Sequence, residues 1–295
     1  MTTINNLIDL IQITNIMKRN KSFDNKSPLL YLVATPIGNL GEFSSRAIEV
    51  VTNCDLVAAE DTRNAHNLLS KFNINKPTYS LREHNEKAAS QYIIEKIKEG
   101  QKIVYMSDAG YPGISDPGNI LVQECIKEDI NVSVIAGSSA FLAGLVPSGM
   151  DTNHFYFHGF LPVKKGEATK ELEAIKNKKE TIIFYEAPHR INETLNLLFE
   201  VLGNREACIA RELTKINEEY IRGKLEELTQ IDEATLKGEM VIVVEGNKEE
   251  KDTSLDAINE AIEVLKNKGL SNRDIVEIIT KIYKINKNQI SKLLY

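Results

Sequence analysis

The chain has 295 residues, 42% of them hydrophobic and 26% charged, which is enough material for two modest domains that each have a core. No apolar run approaches the roughly 20 residues that a membrane-spanning helix requires, which argues against a membrane protein. The three cysteines stand singly, without CxxC spacing. This spacing argues against a disulfide framework and a zinc site and predicts small buried core residues.

The net charge of −6 is unevenly distributed along the chain. Residues 1–27 mix Asn, Thr and Ile and then become basic, which predicts a disordered arm rather than a signal peptide. Residues 264–295 carry seven Lys and Arg against two acidic residues, whereas residues 28–263 have a net charge of −13. A basic tail on an acidic body could bind a polyanion, although charge alone favours a solvated Lys-rich helix face.

The first half of the chain alternates short apolar runs with amphipathic stretches. The runs predict strands over 29–34, 55–59, 102–106 and 132–135. The amphipathic stretches predict helices from the N-cap Ser44 through residue 51, and over 63–71, 85–99 and 120–127. Because strands that alternate with helices pair through crossover connections, we expect a largely parallel sheet here.

A second series of strands and helices begins after residue 151. Strands are predicted over 155–158, 181–185, 207–210, 219–221 and 240–245, with helices at about 165–177 and 189–202. Residues 253–295 predict two or three helices and no strand. The expected organisation is an N-terminal arm, two α/β domains and a helical C-terminal segment, over residues 1–27, 28–148, 149–250 and 253–295.

Five loops at the predicted strand ends carry unusual residues, and ligands of open α/β sheets bind beyond the carboxyl ends of strands. The loop 107–118 is the most informative, because its twelve residues include three Gly, two Pro and two Asp. The other four are weaker. Residues 35–40 alone indicate only a turn, 59–63 could form an internal Asp–Arg brace, 136–140 could be an ordinary N-cap, and 185–190 is a proline-initiated turn.

Several familiar catalytic patterns are absent from the sequence. It has no GxxxxGK[ST], GxGxxG, HExxH or GxSxG pattern. His154 and His158 fall on one face of a predicted strand, where packing is the more common role than metal coordination. We therefore predict no metal site.

Six motifs recur in a recognisable order: TPIGNL at 35–40, AEDTR at 59–63, SDAGYPGISDPG at 107–118, FYEAPHR at 184–190, ARELTK at 210–215 and GEMVIVVEG at 238–246. Over residues 28–295 the chain resembles the tetrapyrrole methylase superfamily and, within it, the family of ribosomal RNA small-subunit methyltransferases. The resemblance implies two α/β domains with S-adenosylmethionine in the cleft between them, a helical C-terminal segment and a homodimer. It also implies 2′-O-methylation of a cytidine in the decoding region of small-subunit ribosomal RNA, free or in the assembled subunit. The unpaired cysteines predict a cytoplasmic protein.

Cofactor contacts carry over by motif. They are Pro36, Gly38, Asp108, Gly110, Ile114, Ser138, Ser139 and Ala140 from the first domain and Tyr185, Ala210 and Met240 from the second. Two positions depart from the family pattern. Tyr111 stands where relatives usually carry a small hydroxyl residue, and Ser138 replaces a usual proline.

Methyl transfer to a hydroxyl requires loss of its proton, and a nearby base accelerates such steps by roughly 10²–10⁴-fold. The candidates are Glu186, Asp61 and Glu212, each beside a basic residue at a strand end. For each one, an ion pair that braces a loop is the alternative we favour. The hypothesised RNA phosphate contacts are Arg63, His189, Arg190, Arg211 and Lys215.

Two other functions stay open at this point. The same scaffold could methylate a small tetrapyrrole-like substrate, or the chain could be a non-catalytic RNA-binding assembly factor. The helical tail and the ribosomal-type motifs favour the RNA substrate. Titration with S-adenosylmethionine tests the non-catalytic alternative.

Overall fold

The computed structural model describes residue 21 and residues 29–248, 255–283 and 285–294. Except for Lys21, the predicted arm over residues 1–27 lies outside the described residues. The chain divides into two compact units, Met1–Gly246 and Asn247–Tyr295. Both predicted α/β domains fall within the first unit, except for residues 247–250 at the end of the second domain.

The first sheet is five-stranded and entirely parallel, with the order β3-β2-β4-β1-β5. Its strands are β1 Leu29–Val33, β2 Leu56–Ala59, β3 Thr78–Ser80, β4 Ile103–Met106 and β5 Asn131–Ile135. The expected parallel sheet is thus confirmed, and β3 is an addition that the sequence analysis missed. Its three residues are all half-buried and form no apolar run.

Helices cover both faces of the first sheet, so its central strands β2 and β4 are buried throughout. These helices are α1 Ser45–Thr52, α2 Thr62–Ser70, α3 Glu86–Lys98 and α4 Asn119–Lys127. Apolar side chains of α3 and α4 pack in one core with Leu30 and Tyr105, and those of α1 and α2 pack in another with Val33 and Met106. The loops that follow the strands lie together at the carboxyl ends of this parallel sheet.

The second sheet is mixed, with the order β6-β7-β10-β8-β9. Its strands are β6 Phe155–Phe160, β7 Thr181–Glu186, β8 Glu206–Arg211, β9 Glu219–Lys224 and β10 Met240–Val244. Only β6 and β7 pair in parallel, and the other neighbours are antiparallel. The carboxyl ends of β6, β7 and β8 therefore lie on the same side of the sheet as the amino ends of β9 and β10.

Helices also cover both faces of the second sheet. Side chains of α6 Lys165–Ile175, α7 Ile191–Leu202 and the one-turn α8 Leu225–Leu228 pack in the core of one face. The helix α5 Ala140–Ser148 follows β5 of the first sheet but packs on the other face of the second. A Cβ at Gly144 would lie 2.7 Å from Val241 Cγ1, so the glycine allows this close approach. The helix α5 thus links the two sheets.

The C-terminal unit has a core of its own. It contains α9 Leu255–Asn267, α10 Asn272–Tyr283 and α11 Lys287–Leu294, which confirms the predicted helical tail. Its buried side chains are Ile258, Ile262, Ile275, Val276, Ile279 and Ile290.

Two further expectations concern the described residues. Cys54, Cys125 and Cys208 are free and buried, as the sequence predicts. Among the helices that the structure describes, none has the length and apolar character needed to cross a bilayer.

Candidate functional site

A cavity of about 470 Å³ lies where the carboxyl-end loops of the first sheet face the second sheet. This volume falls within the range of small-molecule sites, roughly 300–1,000 Å³. Its lining comes from both sheets: Ile37, Glu60, Asp108, Ala109, Gly110, Tyr111, Ile114, Ser115, Asp116, Ser139, Ala140, Phe141, Phe160, Tyr185, Glu212, Leu213, Lys215, Glu239, Met240 and Val241. The predicted strand-end loops are therefore brought together at one place.

The loop 107–118 forms one wall of the cavity and is fixed at its start by the loop after β1. Thr35 and Gly110 exchange two backbone hydrogen bonds, of 2.9 and 3.1 Å. The φ angle of Gly110 is +76°, a left-handed conformation that glycine adopts without strain. The glycine thus permits the turn that carries Asp108 beside the cavity.

The end of the same loop is fixed by two buried side chains. The Tyr105 hydroxyl donates a hydrogen bond of 2.8 Å to the carbonyl of Pro117. The Glu86 carboxylate accepts hydrogen bonds from the backbone N–H groups of Gly118 and Ile120, at 2.9 and 2.8 Å. The Glu86 carboxylate therefore both caps α4 and anchors the end of the loop 107–118.

Carboxyl groups dominate the polar lining of the cavity. Five carboxyl groups and one ammonium group, that of Lys215, line it. Burial and the nearby charge of Glu60 raise the pKa of Asp116 to about 7. Burial and the charge of Asp108 also raise the pKa of Glu60. Such a cavity favours a cationic ligand over an anionic one, because each carboxylate would gain a partner of opposite charge.

Asp108 connects the loop 107–118 to the loop after β2. One oxygen of its carboxylate accepts a hydrogen bond of 3.2 Å from the backbone N–H of Asp61. The other accepts one of 2.8 Å from the Asn64 side-chain amide. These two bonds fix the orientation of the Asp108 carboxylate at the cavity.

The amino-terminal turn of α5 lines another side of the cavity, through Ser139, Ala140 and Phe141. The Phe141 backbone N–H donates to the Tyr185 hydroxyl at 3.2 Å, so a residue of β7 positions this turn. Burial raises the pKa of Tyr185 to about 12, and its phenol is neutral at pH 7. The Gly137 N–H donates to the Tyr111 hydroxyl at 3.2 Å. Tyr111 therefore connects the loop 107–118 to the loop before α5.

The loop after β8 supplies Glu212, Leu213 and Lys215 to the lining. Glu212 has a φ of +50° and pairs with Lys215 at a distance of 2.8 Å. Gly238 lies beneath the Glu212 side chain, and a Cβ at Gly238 would overlap the carboxylate. The glycine is therefore required for the observed position of Glu212.

The structure brings seven of the eleven predicted cofactor contacts to the cavity: Asp108, Gly110, Ile114, Ser139, Ala140, Tyr185 and Met240. Four do not line it. Ala210 is fully buried within β8. Pro36 lies in the loop after β1, where the next residue, Ile37, lines the cavity instead. Ser138 donates to Glu42 at 2.6 Å beside a separate cavity of about 320 Å³. A Cβ at Gly38 would lie 2.8 Å from Lys215 Cγ, so this glycine allows close approach of the loop after β8 rather than of a ligand.

Of the three candidate bases, Glu186 is placed in the core. It is fully buried, absent from the cavity lining, and accepts hydrogen bonds from the Ala187 N–H at 2.8 Å and the Thr194 hydroxyl. The Arg190 guanidinium lies 3.7 Å away. Glu186 thus braces the turn between β7 and α7, the alternative favoured from the sequence.

Asp61 also has a local partner, whereas Glu212 reaches the cavity. The Asp61 carboxylate caps α2 by accepting from the Arg63 N–H and pairs with the Arg63 guanidinium at 2.6 Å. Hydrogen bonding to Arg63 lowers the pKa of Asp61 well below its usual range. A carboxylate held in this way is a weak proton acceptor. Glu212 is the one candidate base in the lining.

The five predicted RNA contacts differ in exposure. The Arg63 side chain is 82% exposed despite its ion pair, and His189 is exposed. Arg190 is 18% exposed and donates to the carbonyls of Leu161 and Pro162. The two remaining cations pair with carboxylates: Arg211 with Glu219 at 2.6 Å and Lys215 with Glu212 at 2.8 Å.

Sequence reasoning did not select Glu60, Asp116, Phe160 and Glu239, all of which line the cavity. Glu60, Asp116 and Glu239 stand inside the motifs at 59–63, 107–118 and 238–246, and this was the signal that could have identified them. Phe160 ends β6 outside any of the motifs, and only the pairing of β6 in the second sheet places it at the cavity. Across the described part of the chain, no three or more His, Cys, Asp or Glu side chains are grouped to bind a metal ion.

Comparison with known proteins agrees with this architecture. The family model for tetrapyrrole (corrin/porphyrin) methylases matches residues 29–229. Ribosomal RNA small subunit methyltransferase I of Bacillus subtilis is 45% identical over 239 residues, covering 80% of this chain and 82% of that protein. The enzyme of the same name from Vibrio cholerae is 40% identical over 282 residues, covering 94% and 97%.

Solved structures show the same fold at lower identity. The uroporphyrin-III C-methyl transferase of Thermus thermophilus, complexed with S-adenyl homocysteine, superposes with a TM-score of 0.53 and 16% identity, covering 73% of this chain and 96% of that one. At this identity the likeness concerns the fold alone. The sequence relatives carry the assignment further: the chain belongs to the tetrapyrrole methylase family and, within it, to the ribosomal RNA small subunit methyltransferase I group.

Proposed function

We propose that the protein transfers a methyl group from S-adenosylmethionine to the ribose 2′-hydroxyl of a cytidine in the decoding region of small-subunit ribosomal RNA. The observation that carries the proposal is an acidic cavity, built from the family's own motifs, in a chain whose relatives are named ribosomal RNA small subunit methyltransferase I. We also propose that it acts in the cytoplasm on this RNA, free or in the assembled small subunit, and as a homodimer.

The residues of the cavity fit S-adenosylmethionine in size and charge. When bound, this cofactor supplies a methyl group on a positively charged sulfur. The carboxylates of Asp108 and Asp116 favour that positive charge, and the apolar side chains of Ile37, Ile114 and Met240 provide contacts for its uncharged parts. The amino-terminal turn of α5 suits a carboxylate, because the first N–H groups of a helix carry partial positive charge.

The substrate oxygen must lose a proton, and Glu212 is the side chain we assign to accept it. Glu212 lines both the main cavity and a wider groove of about 630 Å³ that also includes Arg211 and Lys237. A ribose that enters from this groove would meet Glu212 at the boundary of the two spaces. The protein's other contribution is alignment of the hydroxyl, which in favourable intramolecular models is worth about 7–11 kcal/mol.

The test combines binding and product mapping. Calorimetry measures affinity for S-adenosylmethionine, and isolated small ribosomal subunits and uroporphyrinogen are offered in parallel with radiolabelled cofactor. We expect binding and label in the ribosomal RNA, mapped by mass spectrometry to the ribose of one cytidine. Label only in the porphyrinoid would favour the small-substrate function. Absence of cofactor binding would favour a non-catalytic assembly factor, and label on a base would overturn the 2′-O assignment.

Glu212 has a separate test. The substitution Glu212→Gln keeps the size of the side chain and removes its capacity to accept a proton. We expect kcat to fall by about 10²-fold or more while the Kd for S-adenosylmethionine changes little. An unchanged kcat would remove Glu212 from the mechanism. Sedimentation analysis of the purified protein tests the homodimer independently.

A further inference from the structure

Two loops of the second sheet project aliphatic side chains into solvent. The β8–β9 loop, residues 212–218, carries Ile216, which is 100% exposed. The β6–α6 loop, residues 161–164, carries Val163, which is 81% exposed. An isolated exposed aliphatic residue is ordinary, but these two are held in place by specific contacts and lie near the cavity.

The β8–β9 loop is held rigidly. The Thr214 N–H donates to the Glu218 carboxylate at 2.7 Å, and the Lys215 and Glu218 N–H groups donate to backbone carbonyls within the loop. Glu212 and Thr214 have positive φ angles of 50° and 67°, a conformation that only surrounding contacts maintain in such residues. The tip residue Ile216 is therefore fixed in an exposed position.

The β6–α6 loop is held by Arg190. The guanidinium of Arg190 donates to the Leu161 carbonyl at 3.2 and 3.3 Å and to the Pro162 carbonyl at 3.2 Å. Its own position is fixed by the buried Glu186. The FYEAPHR motif thus supports the segment that carries Val163.

Both loops lie on the side of the second sheet that forms the cavity. They follow β6 and β8, and the strands β7 and β10 lie between them. At about 4.8 Å per strand, the two strands are roughly 14 Å apart. This distance exceeds the ~3.4 Å rise between stacked nucleotides, so the two tips would contact different nucleotides of one strand.

Basic side chains accompany both tips. Lys164 and Lys165 follow Val163 with exposures of 79% and 62%, and Lys215 precedes Ile216 with 43%. Lys164 and Lys165 pair with the exposed carboxylates of Glu167 and Glu200, and such surface ion pairs contribute little and can be exchanged for a phosphate. Lys215 instead pairs with Glu212 of the cavity lining, and the β8–β9 loop also carries Glu218. The phosphate-binding cations are therefore the two that follow Val163, while the cavity suits a cation.

We propose that Ile216 and Val163 contact RNA bases on the two sides of the target nucleotide and keep that nucleotide unstacked while its ribose occupies the cavity. The inference rests on the proposed function and extends it to substrate recognition. Many enzymes that act within a structured nucleic acid take their target nucleotide out of its stack, and apolar side chains inserted between bases can hold those bases apart. Lys164 and Lys165, beside the Val163 tip, would bind a flanking phosphate.

The experiment compares Ile216→Ala, Val163→Ala and the double substitution with the unaltered enzyme, on isolated small ribosomal subunits. We expect kcat/KM for subunits to fall about tenfold in the double variant, equivalent to ~1.4 kcal/mol, with the Kd for S-adenosylmethionine unchanged within twofold. Ile216→Met, which keeps an apolar tip, should retain most of the activity. Val134→Ala is the matched control, because Val134 is 47% exposed on β5 of the other sheet.

Each alternative outcome overturns the inference in a recognisable way. Normal kcat/KM in the double variant would show that the tips do not contact RNA, although the proposed function would stand. If the double variant, unlike the unaltered enzyme, sediments as a monomer, Ile216 and Val163 contact a second copy of the chain rather than RNA. If the unaltered enzyme labels no ribosomal RNA, the proposed function itself fails, and this result is seen before any variant is compared.

Discussion

At the scale of single residues, burial of the Asp116 carboxyl group favours its protonated form, whereas a cationic ligand favours its ionised form. Its pKa is raised to about 7 by burial and by the charge of Glu60. Above pH 7 the group is mostly ionised and attracts a positive sulfur, and below pH 7 it is mostly protonated and that attraction is lost. The affinity for S-adenosylmethionine should therefore rise as the pH increases from 6 to 8.

Asp116→Asn should remove most of this pH dependence and weaken binding of S-adenosylmethionine about tenfold at pH 8, since one partly buried charge pair is worth on the order of 1–4 kcal/mol. S-adenosylhomocysteine, whose sulfur is uncharged, should lose less. Calorimetry with both ligands at pH 6, 7 and 8 measures the difference, with Glu167→Gln on the exposed side of α6 as a control. Equal losses for the two ligands would contradict an electrostatic role.

Gly238 allows a second prediction at this scale. Its φ is +79°, and a Cβ there would overlap the Glu212 carboxylate. Gly238→Ala should displace Glu212, reduce kcat by about tenfold or more, and destabilise the fold by about 1 kcal/mol from backbone strain. Methylation kinetics and urea unfolding measure the two effects. The control is Gly203→Ala, where φ is +84° but no atom would meet the Cβ within 4 Å, so only the strain should remain.

Among the elements, the strands whose burial is uniform were the easiest to predict. The strands β2 and β4 are buried at every position, and so appear as unbroken apolar runs bounded by loops. The three half-buried residues of β3 give no such signal. The antiparallel insertion of β10 between β7 and β8 depends on pairing between distant segments, which local patterns do not encode.

The same reasoning explains which parts of the site were predictable. Loops at strand ends could be located, because parallel strands place their carboxyl ends together. Which carboxylate of a loop faces the cavity depends on its backbone path. Asp116 follows Ser115, whose φ is +59°, and this turn could not be foreseen from residue types alone.

The connection between α3, α4 and the loop 107–118 supports a prediction at the scale of elements. Glu86 is 7% exposed and accepts hydrogen bonds from the N–H groups that begin α4. Glu86→Ala would leave buried donors unsatisfied, a cost of about 1–3 kcal/mol in the free energy of unfolding. Because the same bonds anchor the loop, the affinity for S-adenosylmethionine should fall as well.

Urea unfolding and calorimetry of the Glu86→Ala variant measure these two effects together. The matched control is Glu99→Ala, which removes an exposed ion pair with Lys96 and should change neither quantity by more than a few tenths of a kcal/mol. A variant that loses stability but keeps full cofactor affinity would show that the loop is positioned without Glu86.

For the whole molecule, the division into two compact units predicts that cofactor binding and RNA binding can be separated. The cavity lies entirely within Met1–Gly246. The C-terminal unit has its own core, and residues 264–295 carry seven Lys and Arg against two acidic residues. A chain that ends before residue 253 should therefore bind S-adenosylmethionine with normal affinity but engage RNA more weakly.

Because phosphate contacts release counterions, the truncated chain should show both a higher KM for small subunits and a shallower dependence of KM on salt concentration. Kinetics at several salt concentrations measure both quantities, and calorimetry with S-adenosylmethionine confirms that the remaining unit is folded. Replacing Lys266, Lys268 and Lys292 by Gln in the full-length chain is the matched variant, since it removes charge and keeps the helices. The truncated chain could instead turn over subunits as fast as the full-length protein at every salt concentration. The basic tail would then have no part in RNA binding, and the first unit, with the loops that carry Val163 and Ile216, would supply it.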